Sequence, residues 1–301
     1  MGGRCIGVVG SGFLTAATAL SASGGGAIPV RATPALELRP VAGNGVVAWA
    51  QARTSAKRTI VLVERASGPV FRVNARGTTG APGGISRATL AYEERRRGRG
   101  DIRFFDLVTR RRFAPPAGVN TRRWSESEPS LSAQWLLFKG IARRQQLILL
   151  RNLNTGEQIV LAQAPAAIGG FDVGQINGDY AVWAVPGGVG RYDIARRTRN
   201  IIMAVPEHRL FAPSVSARGV LYYAQALSIE RCGRTSIMRS PASRLNPPVL
   251  TTLPPGYTVG STYALDSGAT TTVYFSRVSC DGHAADIYKV VDAPAPPPGV
   301  R

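Results

Sequence analysis

The sequence predicts an all-β fold: a six-bladed β-propeller of four-stranded antiparallel blades, its ring closed by an N-terminal strand. Three observations carry this. An aromatic residue recurs at intervals of about 45 residues, at Trp49, Tyr92, Phe138, Trp183, Tyr223 and Phe275. A Ser, Asn or Asp stands a few residues before each one, at Asn44, Ser86, Ser132, Asn177, Ser216 and Asp266. Each aromatic residue is followed by a loop, a second apolar run, a turn and in most units a last short strand. Units of four short strands and this length are blade-like, and frequent Gly (34) and Pro (21) argue against stacked helices.

The elements follow in order. Residues 1–27 read as a signal peptide: Arg4 is the only charge, an apolar stretch runs from Cys5 to about Ala22, and small residues offer cleavage after Ser23 or Ala27. No lipobox surrounds Cys5. Residues 28–292 form the propeller. Its third strands are predicted at Thr59–Glu64, Ile102–Leu107, Gln146–Leu150, Val189–Ile194, Thr235–Arg239 and Asp286–Val291. The last unit ends in a proline-rich tail, 293–301, which offers too few donors to complete a ladder and is expected to be disordered. Leu36–Arg39 is therefore expected to pair as the outer strand of the last blade, leaving fewer open edges. No interior apolar run reaches the roughly 18 residues of a membrane span.

Glu128-Pro-Ser-Leu-Ser-Ala-Gln-Trp-Leu-Leu-Phe resembles the blade motif of TolB-like propellers, a Pro-x-x-Ser before a hairpin and an apolar strand. Phe211-Ala-Pro-Ser-Val-Ser-Ala-Arg-Gly-Val-Leu-Tyr-Tyr repeats it. Val173-Gly-Gln-Ile-Asn-Gly-Asp-Tyr-Ala-Val-Trp and Ile85-Ser-Arg-Ala-Thr-Leu-Ala-Tyr are more degenerate copies, and the family's usual Ser-Pro-Asp-Gly hairpin is replaced by Ala133-Gln134 and Ala217-Arg218-Gly219. The resemblance covers roughly residues 36–292. It implies a six-bladed ring of the kind used for protein–protein contact and transfers no catalytic residue.

The net charge is +19, yet only Lys57, Lys139 and Lys289 among the 37 basic residues are lysine. Such a skew reads first as arginine-biased composition on solvated surfaces. An anionic partner such as a cell-envelope polymer is the second reading, and nucleic acid is not expected. Glu94–Gly100, with Arg95, Arg96 and Arg97, is the strongest candidate patch. In an exported chain Cys232 and Cys280 are expected to form a disulfide. Both fall in the loops between second and third strands, in neighbouring blades five and six.

No catalytic constellation is coherent. His208 and His283 fall in different blades, without metal-ligand spacing. No Gly-x-Ser-x-Gly elbow is present, and neither metal nor cofactor is expected. Glu126, Glu128 and Asp172 lie on or near predicted channel-lining strands of adjacent blades and are the candidates for paired-carboxylate chemistry. Trp124 beside them could line a sugar or peptide pocket, or pack between blades. The first functional expectation is a monomeric, non-catalytic extracytoplasmic scaffold that binds a protein or ligand. A secreted hydrolase or lyase with channel carboxylates is the alternative. A basic surface protein holding anionic cell-wall polymer is the third.

Overall fold

The structure, a computed structural model, describes residues 26–52, 59–65, 68–227, 232, 234–241 and 247–293. Most of the expected leader, the tail from 294, and Lys57 lie outside the described residues. The described chain forms six four-stranded antiparallel sheets. From the axis outward, blade one is Leu36–Gly43, Val46–Ala52, Thr59–Arg65 and Phe71–Arg72. The inner strands of blades two to six are Thr79–Ser86, Ser125–Ser132, Val173–Asn177, His208–Val215 and Tyr257–Ser267. We call the face where these strands begin the upper face and the opposite one the lower. No helix of the described residues is long and apolar enough to cross a membrane.

All six aromatic anchors are second-strand residues, each no more than 3% exposed. Trp183, for example, packs with Leu137, Ile148 and Leu161 of the preceding blade. The core is thus a set of inter-blade layers, which is why one aromatic per repeat suffices to mark it. The recurring polar positions end the inner strands at the lower face. Ser86 Oγ accepts from Ala133 N at 2.9 Å, Ser132 Oγ from Gly178 N at 3.1 Å, and Asp266 Oδ2 from Ala217 N at 2.7 Å. Each of these bonds ties a strand end to the hairpin of the neighbouring blade.

Closure uses an N-terminal strand, but not Leu36–Arg39. Ile28–Arg31 pairs with Ala285–Asp292 and completes blade six, whereas Leu36–Gly43 is the inner strand of blade one. The only reason to place Leu36–Arg39 there is that the last unit lacks an outer strand; the segment instead continues through Pro40 to Gly43. Here the proline sits in a β-bulge, where its missing N–H leaves no ladder bond unmade. Arg31 clips the closing strand to blade one. Its guanidinium lies 3.3 Å from Glu64, 3.5 Å from the buried Glu37 and 5.1 Å from the centre of the Trp49 ring. At the other end Asp292 accepts from Tyr222 Oη and Arg239 Nε of blade five, each at 2.6 Å.

Cys232 and Cys280 form a disulfide with Cα atoms 5.7 Å apart, as expected for two cysteines in equivalent loops of adjacent blades. It joins the upper-face loops of blades five and six.

Candidate functional site at the upper mouth of the ring

Every inner strand breaks register against the second strand of its blade, farther from its end in blade six than in the others. In blades one, three and five the break holds Pro40, Pro129 and Pro213. In blades two, four and six it holds Gly83, Gly174 and Gly260. In blades two and four the glycine is required sterically, whereas Gly260 of blade six faces Ser276 and Val278 of its own blade. A Cβ on Gly83 would lie 1.5 Å from the Pro129 carbonyl oxygen, and one on Gly174 would lie 2.4 Å from that of Pro213. The residues before the prolines, Arg39, Glu128 and Ala212, have φ of 51°, 52° and 48°. This left-handed region is unfavourable for L-residues, so the bulge holds them there under strain.

The bulges line a cavity of about 170 Å³ that draws residues from all six blades. Arg39, Glu128 and Asp172, from blades one, three and four, stand on one arc. The facing arc of blades five and six is uncharged, with Phe211, Ala212, Ser261, Thr262 and Tyr263. Below the cavity the axis is filled. Tyr263 reaches across from blade six, its hydroxyl 3.5 Å from Ile85 N of blade two. Gln175 of blade four bonds both the N–H (2.8 Å) and C=O (2.7 Å) of Ala264 in blade six, and accepts from Val215 N of blade five. Burial in this plug pushes the Tyr263 phenol up to about 12.

The charged arc is a continuous chain of pairs. Arg95 Nε donates to Glu93, whose other oxygen accepts from Glu128 N at 3.2 Å. Glu128 Oε2 accepts from Val173 N at 2.9 Å, and Oε1 faces both Arg39 (3.6 Å) and Lys139 (3.9 Å). Lys139 Nζ in turn lies 3.0 Å from Asp172 and donates to the Phe171 carbonyl. Burial opposes the charge on Arg39, but Glu128, Glu93 and Asp172 together outweigh it and hold the guanidinium above its usual range. Each carboxylate is therefore engaged by a cation, with exposed oxygen and nitrogen edges left at Asp172 and Arg39.

The candidates from sequence are thus divided. Glu128, Asp172 and Arg95 belong to this one arrangement. Glu126 does not line the cavity. Its Oε1 accepts from Thr121 N and Oγ1, its Oε2 is buried without a partner, and desolvation raises its pKa. Trp124 lies against Gly140 of the second strand of the same blade, with Arg123 5.7 Å from its ring centre, and does not line the cavity. Arg96 and Arg97 occupy an exposed hairpin tip, where Arg97 and Gly98 both take the positive φ of a tight two-residue turn. Among the described residues no group of three His, Cys, Asp or Glu side chains could hold a metal ion. Sequence reasoning missed Arg39, Glu93 and Lys139. Lys139 had a signal, as the one charge inside the apolar strand Trp135–Ile141.

No family model matches the chain, and no curated protein matches it in sequence. Solved structures share its fold. TolB from Acinetobacter baumannii aligns with a TM-score of 0.53 at 15% identity, covering 82% of this chain and 64% of that one. Regucalcin, a calcium-binding protein from Agrobacterium tumefaciens, gives 0.56 at 12% identity over 90% and 97%. Oligogalacturonate lyase from Vibrio parahaemolyticus gives 0.51 at 9% identity over 87% and 78%. The chain spans less than two thirds of that TolB. At these identities the likeness is one of fold, and the chain is a six-bladed propeller of the architecture TolB displays.

Proposed function

We propose that this is a non-catalytic, exported binding propeller that receives its ligand in the upper cavity. The observation that carries the reading is the cavity itself. Left-handed backbone at Arg39, Glu128 and Ala212 lies on its wall, and the charges of Arg39, Glu128 and Asp172, from three blades, are held there by pairing with one another and with Lys139. Such preorganisation suits recognition. Glycosidic chemistry instead needs one carboxyl that holds a proton for the leaving group. Glu128 and Asp172 share the cavity, yet each already faces Lys139. Export is supported by the Cys232–Cys280 bridge. Cleavage after Ala27 would release a chain whose first residues are the closing strand, Ile28–Arg31.

The test compares wild type with Arg39→Ala/Asp172→Ala as bait for a cell-envelope extract. Retention of a ligand or protein by wild type alone is expected. Equal retention by both would remove the cavity from the reading. Turnover of any glycan or peptide substrate that vanishes in Glu128→Gln would favour the hydrolase or lyase alternative. N-terminal sequencing of the mature protein checks the cleavage position.

A further inference from the structure

The outer edges of the blades are not alike. The outermost strands of blades one and two, Phe71–Arg72 and Arg112–Phe113, are two residues long. Those of blades five and six, Val249–Thr252 and Ile28–Arg31, are four residues long and pair through a register break; Pro29 lies in the latter. The outermost strand of blade three, Gln158–Pro165, also pairs through a break and ends in proline, and its Leu161 carbonyl is bonded by Arg199. Short strands, bulges and prolines are the usual ways of blunting a free edge. Blade four has none of them. Thr198–Met203 pairs with Gly188–Asp193 over six consecutive residue pairs without a break. Every residue of it is exposed, including Ile201 (49%), Ile202 (37%) and Met203 (61%), with Val205 (61%) just beyond.

The ladder fixes which groups are free. Ala204 N donates inward to Gly187 O. Antiparallel bonding alternates along a strand, so Thr198, Asn200 and Ile202 also face inward. Arg199, Ile201 and Met203 then direct their N–H and C=O groups away from the blade. We propose that this edge takes up an extended segment of an acidic partner protein as a fifth strand, a surface distinct from the upper cavity. Charge selects the partner. Arg196 and Arg197, paired with Asp193 and Glu157 at 3.0 Å but with side chains 75% and 70% exposed, sit beside Thr198, and the chain carries +19, which opposes a second copy. An antiparallel guest places its C-terminal end beside these arginines. The fitting segment is therefore a short apolar strand followed by acidic residues.

The experiment uses the full chain and a labelled synthetic peptide of alternating isoleucine and threonine ending in three glutamates. Binding by fluorescence anisotropy is expected to weaken with salt. It should fall at least about tenfold in Ile201→Pro, whose lost N–H is an outward one and whose melting temperature should stay near wild type. Hydrogen exchange on the wild type supplies an independent reading. The amides of Arg199, Ile201 and Met203 should exchange fast alone and slow with peptide, and those of Asn200 and Ile202 should be slow throughout. No binding, equal binding by Ile201→Pro, or equal binding of a lysine-ended peptide would overturn the proposal. So would a self-associated dimer in sedimentation that Ile201→Pro dissolves, which would assign the edge to a second copy.

Discussion

At the residue scale, two side chains sit where their chemistry is opposed by their surroundings. Ala133 holds φ of 47° in the blade-three hairpin, a conformation that costs an L-residue roughly 1–2 kcal/mol and glycine nothing comparable. Its N–H still donates to Ser86. Ala133→Gly is expected to stabilise the fold by up to about 1 kcal/mol, read as a shift in denaturant midpoint at unchanged slope. Glu126 is the second case. Desolvation raises its pKa in the folded state, so the native protein binds that proton more tightly than the unfolded chain. Its contribution to stability is then fullest below the ordinary carboxylate range and declines as pH rises through the raised folded value. Glu126→Gln keeps an acceptor for Thr121 and removes the buried charge. It should melt higher than wild type at neutral pH, with the gap closing at acid pH. A gap independent of pH would assign the effect to packing instead.

At the element scale, the bulged inner strands make the interior intolerant of small additions. Gly83 faces a backbone carbonyl that cannot swing aside, so Gly83→Ala should cost more than about 3 kcal/mol or prevent folding, as soluble yield and melting would show. The Cys232–Cys280 bridge closes a loop with a sequence separation of 48. Its loss in a Cys232→Ser/Cys280→Ser variant is expected to lower stability by at most roughly 4 kcal/mol in the chain-entropy account. The blade repeat was legible because the anchors and the strand-end polar residues each do one job six times over. The bulges were less so. Pro129 and Pro213 stood out through the serine three residues later in Glu128-Pro-Ser-Leu-Ser and Ala212-Pro-Ser-Val-Ser, or one residue on, but Pro40 precedes Val41-Ala42-Gly43 and gave no such cue. The cavity was half legible for a related reason. Glu128 and Asp172 were conspicuous carboxylates, while Arg39 comes from blade one and Lys139, on the second strand of Glu128's own blade, reaches Asp172 of the next, associations that the ring makes.

At the scale of the whole molecule, the ring depends on contacts between its first and last segments. Arg31 belongs to the strand that completes blade six, yet it neutralises Glu37, a carboxylate in blade one with no exposed surface and one oxygen unsatisfied. Removing one member of a buried ion pair leaves the other charge stranded and typically costs about 3–5 kcal/mol. Because Arg31 is itself partly exposed, the lower end of that range is expected for Arg31→Ala. Arg31→Ala/Glu37→Gln should recover part of the loss, a coupling that a double-mutant cycle of unfolding free energies would measure.

The plug of Tyr263 and Gln175 turns the ring from a tunnel into a cup. A long polymer cannot be threaded through it, and nothing can enter from the lower face and leave from the upper. Whatever occupies the cavity must arrive and depart by the same mouth, as a compact molecule, a free end or a folded-back loop rather than a threaded strand.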